Sequence, residues 1–367
     1  MATTPIVGGQ YYNMLAVHPL MKDGKFNQPA RNLFRDNTLI RDAVVQQANE
    51  LMGHQGSYGI YMPTAEAIKV GGYRTTSTAG WGTFRDDISI FSDASAIPKD
   101  VADLQGMVWL SEEEATKQNA FGQSVENHLM YGTNGPASDT IIVNGASTTP
   151  TATPEKYTGL APRFRVPDNG TAGYDAINPD PATAAQKGVW SAGATGTGTT
   201  SIWFVRWGRR AASLITPLND PQYGMKIEDK SLQMQWTTSS NEPVKYRECW
   251  MKQYEWKHGL SIYPGENGGN HVARLRNINP DLTFNNSGLK TLIFQIIEEY
   301  FLGSTDGIFM YIPPRMRTIF DVLFEGKQNV VFTTENPYQL SPENWAGKVF
   351  MRMCRAININ ETAVAPV

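Results

Sequence analysis

Apolar positions change period along the chain, and those changes divide it. From Ser111 to Tyr131 (SEEEATKQNAFGQSVENHLMY), Phe121, Val125 and Leu129 recur every four residues, while Lys117, Gln118, Glu126 and Asn127 cover much of the remaining surface. That period predicts one amphipathic helix. Ser111 with Glu114 reads as a capping box, Leu110 as a staple onto Ala115, Glu112 and Glu113 as charges on the positive end of the dipole, and Gly132 as the stop. A helix of about thirty Å with one apolar stripe is expected to lie as a strut across a sheet.

Upstream, Met1 to Phe34 has neither helical nor strand period and reads as an extended arm carrying Tyr11 and Tyr12. Asn37 or Thr38 then starts a short helix whose buried side is marked by Ile40, Ala43, Val44, Ala48 and Leu51. Between Ile60 and Phe91 two strand-like runs, AEAIKV and TFRDDISIF, flank GGYRTTSTAGWG. In the second run Phe84, Asp86, Ile88 and Ile90 alternate with Thr83, Arg85 and Asp87. The simplest product is a long two-stranded ribbon with a broad tip. An isolated hairpin buries too little to be stable in water, so Tyr73, Trp81 and Phe84 imply contact with a partner.

Downstream, Asn144 to Pro154 and Asp168 to Thr200 are dominated by Gly, Ser, Thr, Ala and Pro and read as loops. SIWFVRWG sets Ile202, Phe204 and Arg206 against Trp203, Val205 and Trp207. Val244 to Tyr263 places Tyr246, Trp250, Tyr254, Trp256, Leu260 and Ile262 on one strand face. That aromatic wall suits a sugar-stacking platform of a carbohydrate-binding module or enzyme, but an apolar face receiving the strut explains it without a ligand. The last third reads as a helix through Leu289, Leu292, Ile293, Ile296 and Tyr300 ending at Gly303, a strand GIFMYIP, a helix RMRTIFDVLFEG behind Pro313 and Pro314, and strands QNVVFTT and KVFMRMCRAI. The fold class is α+β.

The chain has 367 residues, 41% hydrophobic and 18% charged, with a net charge of -3. That balance excludes a disordered tail, and near-neutrality argues against a dedicated nucleic-acid reader. No signal peptide or membrane span is legible, so cytoplasmic folding is expected, and Cys249 and Cys354 read as buried thiols. His18, His54, His128, His258 and His271 form no HxxxH or HExxH pair, so no metal is expected. The runs Glu112–Glu114, Asp86–Asp87 and Glu298–Glu299 are sequence neighbours that do not face one another across a cleft, and GATGTGTT lacks a phosphate loop's GK[ST] ending. No catalytic residue or cofactor is expected.

The order of arm, short helix, ribbon, capped strut, aromatic strands and terminal mixed unit resembles the major capsid proteins of tailed double-stranded DNA bacteriophages, which have the HK97-type fold. The phrases ENHLMYGT, KYTGLAPRF, SIWFVRWG, YEWKHGLSI, PRMRTIFDVLFEGKQNV and GKVFMRMCRAI carry the resemblance over nearly the whole chain. It implies an arm and short helix over 1–57, an E-loop ribbon over 58–98, a P-domain over 99–280 with spine helix 111–131 and a loose insertion near 144–198, an A-domain over 281–355 and a C-terminal tail over 356–367. It further implies a non-enzymatic subunit that assembles as pentamers and hexamers into an icosahedral virion shell in the host cytoplasm. A cellular nanocompartment shell of the same fold is the alternative. Expected partners are further copies of the chain, a separate scaffolding protein (the recognisable fold starts near Met1), a portal, a decoration protein and packaged DNA in non-specific contact, with no membrane. Subunit contacts are expected at Tyr11, Tyr12, Lys69, Tyr73, Arg74, Trp81 and Arg85, Lys69 being the ribbon lysine available for a crosslink of the kind some shells of this fold make.

Overall fold

A computed structural model of the chain describes residues 37–61, 80–132, 141–143, 146–148, 157–164, 188–220, 224–237, 245–263, 271–280, 286–301, 307–324 and 349–363. The first half runs α1 (Thr38–Asp42), β1 (Val45–Gln47), β2 (Gly53–Tyr61), β3 (Gly80–Asp87), β4 (Ser89–Pro98), α2 (Lys99–Tyr131), β5 (Ile141–Val143), β6 (Ala146–Thr148) and α3 (Leu160–Arg163). The second runs β7 (Val189–Ser191), β8 (Thr197–Arg206), β9 (Ala212–Thr216), β10 (Met225–Thr237), β11 (Lys245–Ile262) and β12 (Val272–Ile278). It ends with α4 (Asn286–Gln295), β13 (Ile308–Ile312), α5 (Met316–Phe324), β14 (Phe350–Met353) and β15 (Glu361–Thr362).

Two sheets organise these elements. In the first, β1, β9, β11 and β10 lie side by side and β4 also pairs with β11. In the second the order is β14, β13, β8, β12, β7, with β15 on β8. The alternation along β8 decides its place. Ile202 and Phe204 enter one core with Leu275, Ile293, Met310 and Phe320, whereas Trp203, Val205 and Trp207 enter another with Leu39, Leu129, Trp256 and Tyr311. A strand that is apolar on both faces belongs in the middle of a covered sheet. Helices α4 and α5 contribute to the first core, and α1, α3 and the second half of α2 to the second.

The strut crosses the aromatic wall as its stripe requires. Phe121, Val125 and Leu129 are buried in one core with Trp256, Leu260 and Ile262, each side chain stabilising the packing by roughly 1.5–3 kcal/mol. Its start differs from expectation. Helix α2 begins at Lys99 and spans 33 residues, about 50 Å, so Ser111 and Glu114 lie inside it and not at its start. Pro98 ends β4 immediately before it, and Asp100 supplies the first-turn carboxylate.

Other boundaries move for physical reasons. The short helix stops at Asp42 and the chain continues as β1, parallel to β9. Ala43, Val44 and Ala48 are therefore buried by a sheet, and Leu51, at 72% exposure, is outside the core. The ribbon starts at Gly53, and its second strand ends at Asp87. There Ile88 and Ser89 are both buried, the alternation changes phase, and β4 joins β11 in the first sheet, which leaves Ile90 exposed. The AEAIKV and QNVVFTT runs lie outside the described residues. Strands on both sides of residue 280 share the second sheet. Within the interval expected to be loose, Tyr157, Leu160, Ala161, Phe164, Val189 and Trp190 are core residues. In the segment expected as a C-terminal tail, Ala356, Ile357 and Glu361 are buried and β15 pairs with β8. Helix α4 closes in a π-helical turn, Ile296–Tyr300, short of Gly303.

Candidate interaction surface and its anchors

Ribbon β2–β3 pairs from Gly53 with Asp87 out to Tyr61 with Gly80. It covers its own backbone with aromatic rings. The Phe84 ring lies over Gly56 and the Tyr58 ring over Gly82, so closely that a Cβ on either glycine would come within 2.4 or 2.7 Å of a ring atom. Trp81, paired with Gly59, is left 68% exposed. Arg85 is exposed as well and bonds Glu50 at 3.4 Å and Asp87 at 3.2 Å. Exposed pairs of this kind contribute about 0–1 kcal/mol, so a partner could recruit the guanidinium at little cost. Leu51 and Met52, exposed in the turn before β2, add apolar surface near the ribbon root.

The root itself is fixed. Asp86 points inward, where one carboxylate oxygen pairs with Arg163 at 2.8 Å and the other accepts the Ile262 N–H at 3.3 Å. Arg163 also donates to the Leu260 and Thr158 carbonyls at 3.2 and 3.1 Å. The Tyr263 hydroxyl donates to the Ser57 carbonyl at 2.9 Å, and Phe84 meets Tyr263 edge to face at 5.5 Å. Ala48, Ile88 and Ile215 pack as a small apolar cluster at the same end of the first sheet.

Arg163 is held because its segment is seated on the end of α2. The Gly132 N–H donates to His128 O and the Gly159 N–H to Gly132 O, both at 2.8 Å. Gly159 tolerates no side chain, since a Cβ would stand 2.6 Å from Leu129 O and 2.7 Å from His128 O. The His128 ring nitrogen Nε2 hydrogen-bonds Tyr157 O at 3.0 Å, and His128, Tyr157, His258, Trp256 and the half-buried Phe91 form a ring cluster in which Trp256 and His258 stack at 4.1 Å. Burial, helped by the neighbouring His128, pushes His258 down to about 3. The phrases ENHLMYG and KYTGLAPRF are thus two halves of one joint.

A second joint ties the chain's end to its middle. Arg274 and Glu361 are fully buried and pair at 3.0 Å. Arg274 also donates to Phe164 O at 2.8 Å and Ser201 Oγ at 3.0 Å and lies over the Trp203 ring at 4.8 Å. Glu361 accepts hydrogen bonds from the Tyr131 hydroxyl at 3.0 Å and from Ser201. The Tyr131 oxygen in turn accepts the Asn358 N–H at 2.7 Å. Burial and the Glu361 charge hold the Tyr131 hydroxyl well above the usual phenol range, so it stays a donor.

These joints fix the ribbon root, the end of α2 and β15 in place, and comparison with known proteins says what kind of protein they belong to. The family model of the major capsid protein GP7 matches residues 21–365. The chain belongs to the GP7 family of major capsid proteins. A chain from the near-atomic-resolution structure of bacteriophage Epsilon15 shares the fold, with a TM-score of 0.53 at 16% identity over 98% of this chain and 99% of that one. A chain of the bacteriophage JBD30 capsid gives 0.42 at 10% identity over 88% and 91%, and one from the capsid of the native GTA particle 0.34 at 11% over 66% and 90%. No curated protein matches the chain by sequence. The chain is therefore a major capsid protein, a structural subunit, with a sheet-rich α+β fold.

Of the contact residues expected in this capsid subunit, Tyr11, Tyr12, Lys69, Tyr73 and Arg74 lie outside the described residues, and Trp81 and Arg85 stand exposed on the ribbon as given above. Among the described residues, no group of three His, Cys, Asp or Glu side chains converges to hold a metal. The sugar-platform reading of the aromatic wall is corrected, because Tyr254 and Trp256 are buried beneath α2. Sequence reasoning missed Asp86, Arg163, Arg274, Glu361 and Tyr131 as anchors. One signal was available: VARLRNI sets Arg274 and Arg276 within an otherwise apolar strand, and a cation there demands a buried partner.

Proposed function

We propose that this major capsid protein assembles as pentamers and hexamers into an icosahedral shell around packaged double-stranded DNA, in the host cytoplasm and without catalysing a reaction. The observation that carries the reading is the contrast between a ribbon root locked by Asp86 and Arg163 and a ribbon flank that leaves Trp81 at 68% exposure. A monomer gains nothing from such a side chain, whereas a ring of identical copies gains one contact per subunit. In this reading β2–β3 belongs to the E-loop expected over 58–98, the 111–131 part of α2 is the spine helix of the P-domain, residues 281–355 are the main part of the A-domain, and residues 1–34 are an arm laid on a neighbour. Tyr11, Tyr12, Lys69, Tyr73, Arg74, Trp81 and Arg85 lie in contacts between subunits. A scaffolding protein, a portal and a decoration protein complete the head, and DNA meets the inner surface without base readout. Electron microscopy of the expressed chain, alone and with its scaffold, tests this. Closed shells are the expected product, and a preparation that stays monomeric with scaffold supplied overturns the reading.

A further inference from the structure

Glu126 sits on the buried side of α2 at 2% exposure. Its Oε1 accepts the Leu39 backbone N–H at 2.7 Å, across 87 residues of sequence, and the Cys354 thiol stands 4.0 Å from the same oxygen. Three parts of the chain therefore meet on one carboxyl group: α1, the long helix and the segment after β14. The charges around it are committed elsewhere. Arg41 pairs with Asp42 at 3.3 Å, Asp42 also takes Arg352 at 3.6 Å and the Tyr311 hydroxyl at 3.4 Å, and Arg355 acts on Glu126 only through its field. Among the described residues no cation comes within ion-pair distance of Glu126. A buried carboxylate with one N–H and one thiol for company is costly when charged and at ease when neutral.

We propose that Glu126 is a proton-operated clasp: neutral, it holds residues 37–44 against α2, and charged, it loosens them, so that this segment is released from the long helix as pH rises. The carboxyl C=O keeps accepting the Leu39 N–H in the neutral form, and ionisation adds a desolvated charge that this single donor does not offset. Burial, its largest influence, and Asp42 push Glu126 up, Leu39, Arg41 and Arg355 pull it down, and the balance is about 7.

Hydrogen exchange of the full-length unassembled subunit tests the clasp, read on peptides covering residues 37–48 at several pH values from 6 to 8 and corrected for intrinsic exchange rates. With Glu126 titrating at about 7 when clasped and 4.5 when open, the opening equilibrium should rise about tenfold between pH 6 and pH 8. Peptides over β12 should stay flat, which separates clasp release from global unfolding. Glu126→Gln keeps the acceptor without the charge and should abolish the rise. A flat wild-type profile overturns the proposal without reference to any variant, and so does a rise of the same size in Glu126→Gln.

Discussion

The Arg274–Glu361 joint makes the most exacting prediction. Truncating Glu361 to alanine leaves a fully buried guanidinium that keeps Phe164 O, Ser201 Oγ and the Trp203 ring but loses its counter-charge. The Tyr131 and Ser201 hydroxyls lose an acceptor in the same step. Breaking one side of a buried pair costs about 3–5 kcal/mol, because the remaining charge is uncompensated. Replacing both sides, as Arg274→Met with Glu361→Leu, removes the charge as well as the pairing and should cost well under the sum of the single changes. The coupling expected for residues in one network is 0.5–3 kcal/mol, roughly. Urea unfolding of the unassembled subunit, followed by tryptophan fluorescence, gives the free energies at constant m-value. Glu361→Ala costing below about 1 kcal/mol, or single changes adding within about 0.5 kcal/mol, would refute the argument that this pair holds the chain's end to the sheet.

Three further outcomes follow from other parts of the molecule. Trp81→Ala should leave the subunit's urea midpoint unchanged within about 0.5 kcal/mol, as for a surface site, while lowering the yield of closed shells; equal shell yield would remove Trp81 from the contacts. Gly159→Ala drives a Cβ into the carbonyls of Leu129 and His128, neither of which can swing aside, and should destabilise the subunit by roughly 1–3 kcal/mol; an unchanged midpoint would mean that the joint relaxes freely. His258, at about 3 when folded against 6.5, contributes stability that is present above pH 6.5 and lost as pH falls towards 3, with His271, at about 4, acting in the same sense. Glu126, at about 7 against 4.5, opposes them between pH 4.5 and 6.5. Glu126→Gln should therefore steepen acid destabilisation by about 1.4 kcal/mol per pH unit across that window, and urea midpoints at pH 5 and 6 that move in parallel with wild type would contradict it.

What was legible in the sequence and what was not divide along one physical line. Period-two and period-four apolar patterns report which side of an element faces a core, so the buried sides of β8, β11 and the second half of α2 could be read directly. Patterns say little about where a chain changes sheets. The run TFRDDISIF looks like one strand, yet the root of the ribbon lies inside it, because Asp86 turns inward to Arg163 and Ile88 and Ser89 are both buried. A buried carboxylate in a strand looks like an ordinary outward polar residue until its partner, 77 residues away in sequence, is in view. The capping box at Ser111 failed for a related reason. Local side-chain chemistry that suits a helix start is also tolerated inside a helix, and in α2 Pro98, a dozen residues earlier, imposes the real boundary. The same logic makes the anchors informative about assembly. Asp86–Arg163, the Gly159 joint and Arg274–Glu361 join segments remote in sequence, and between them they fix the ribbon root, the end of the long helix and the chain's last strand to one body. On the assembly proposed above, every copy presents the same ribbon at the same angle, which requires a rigid root of this kind with Trp81 left exposed beyond it.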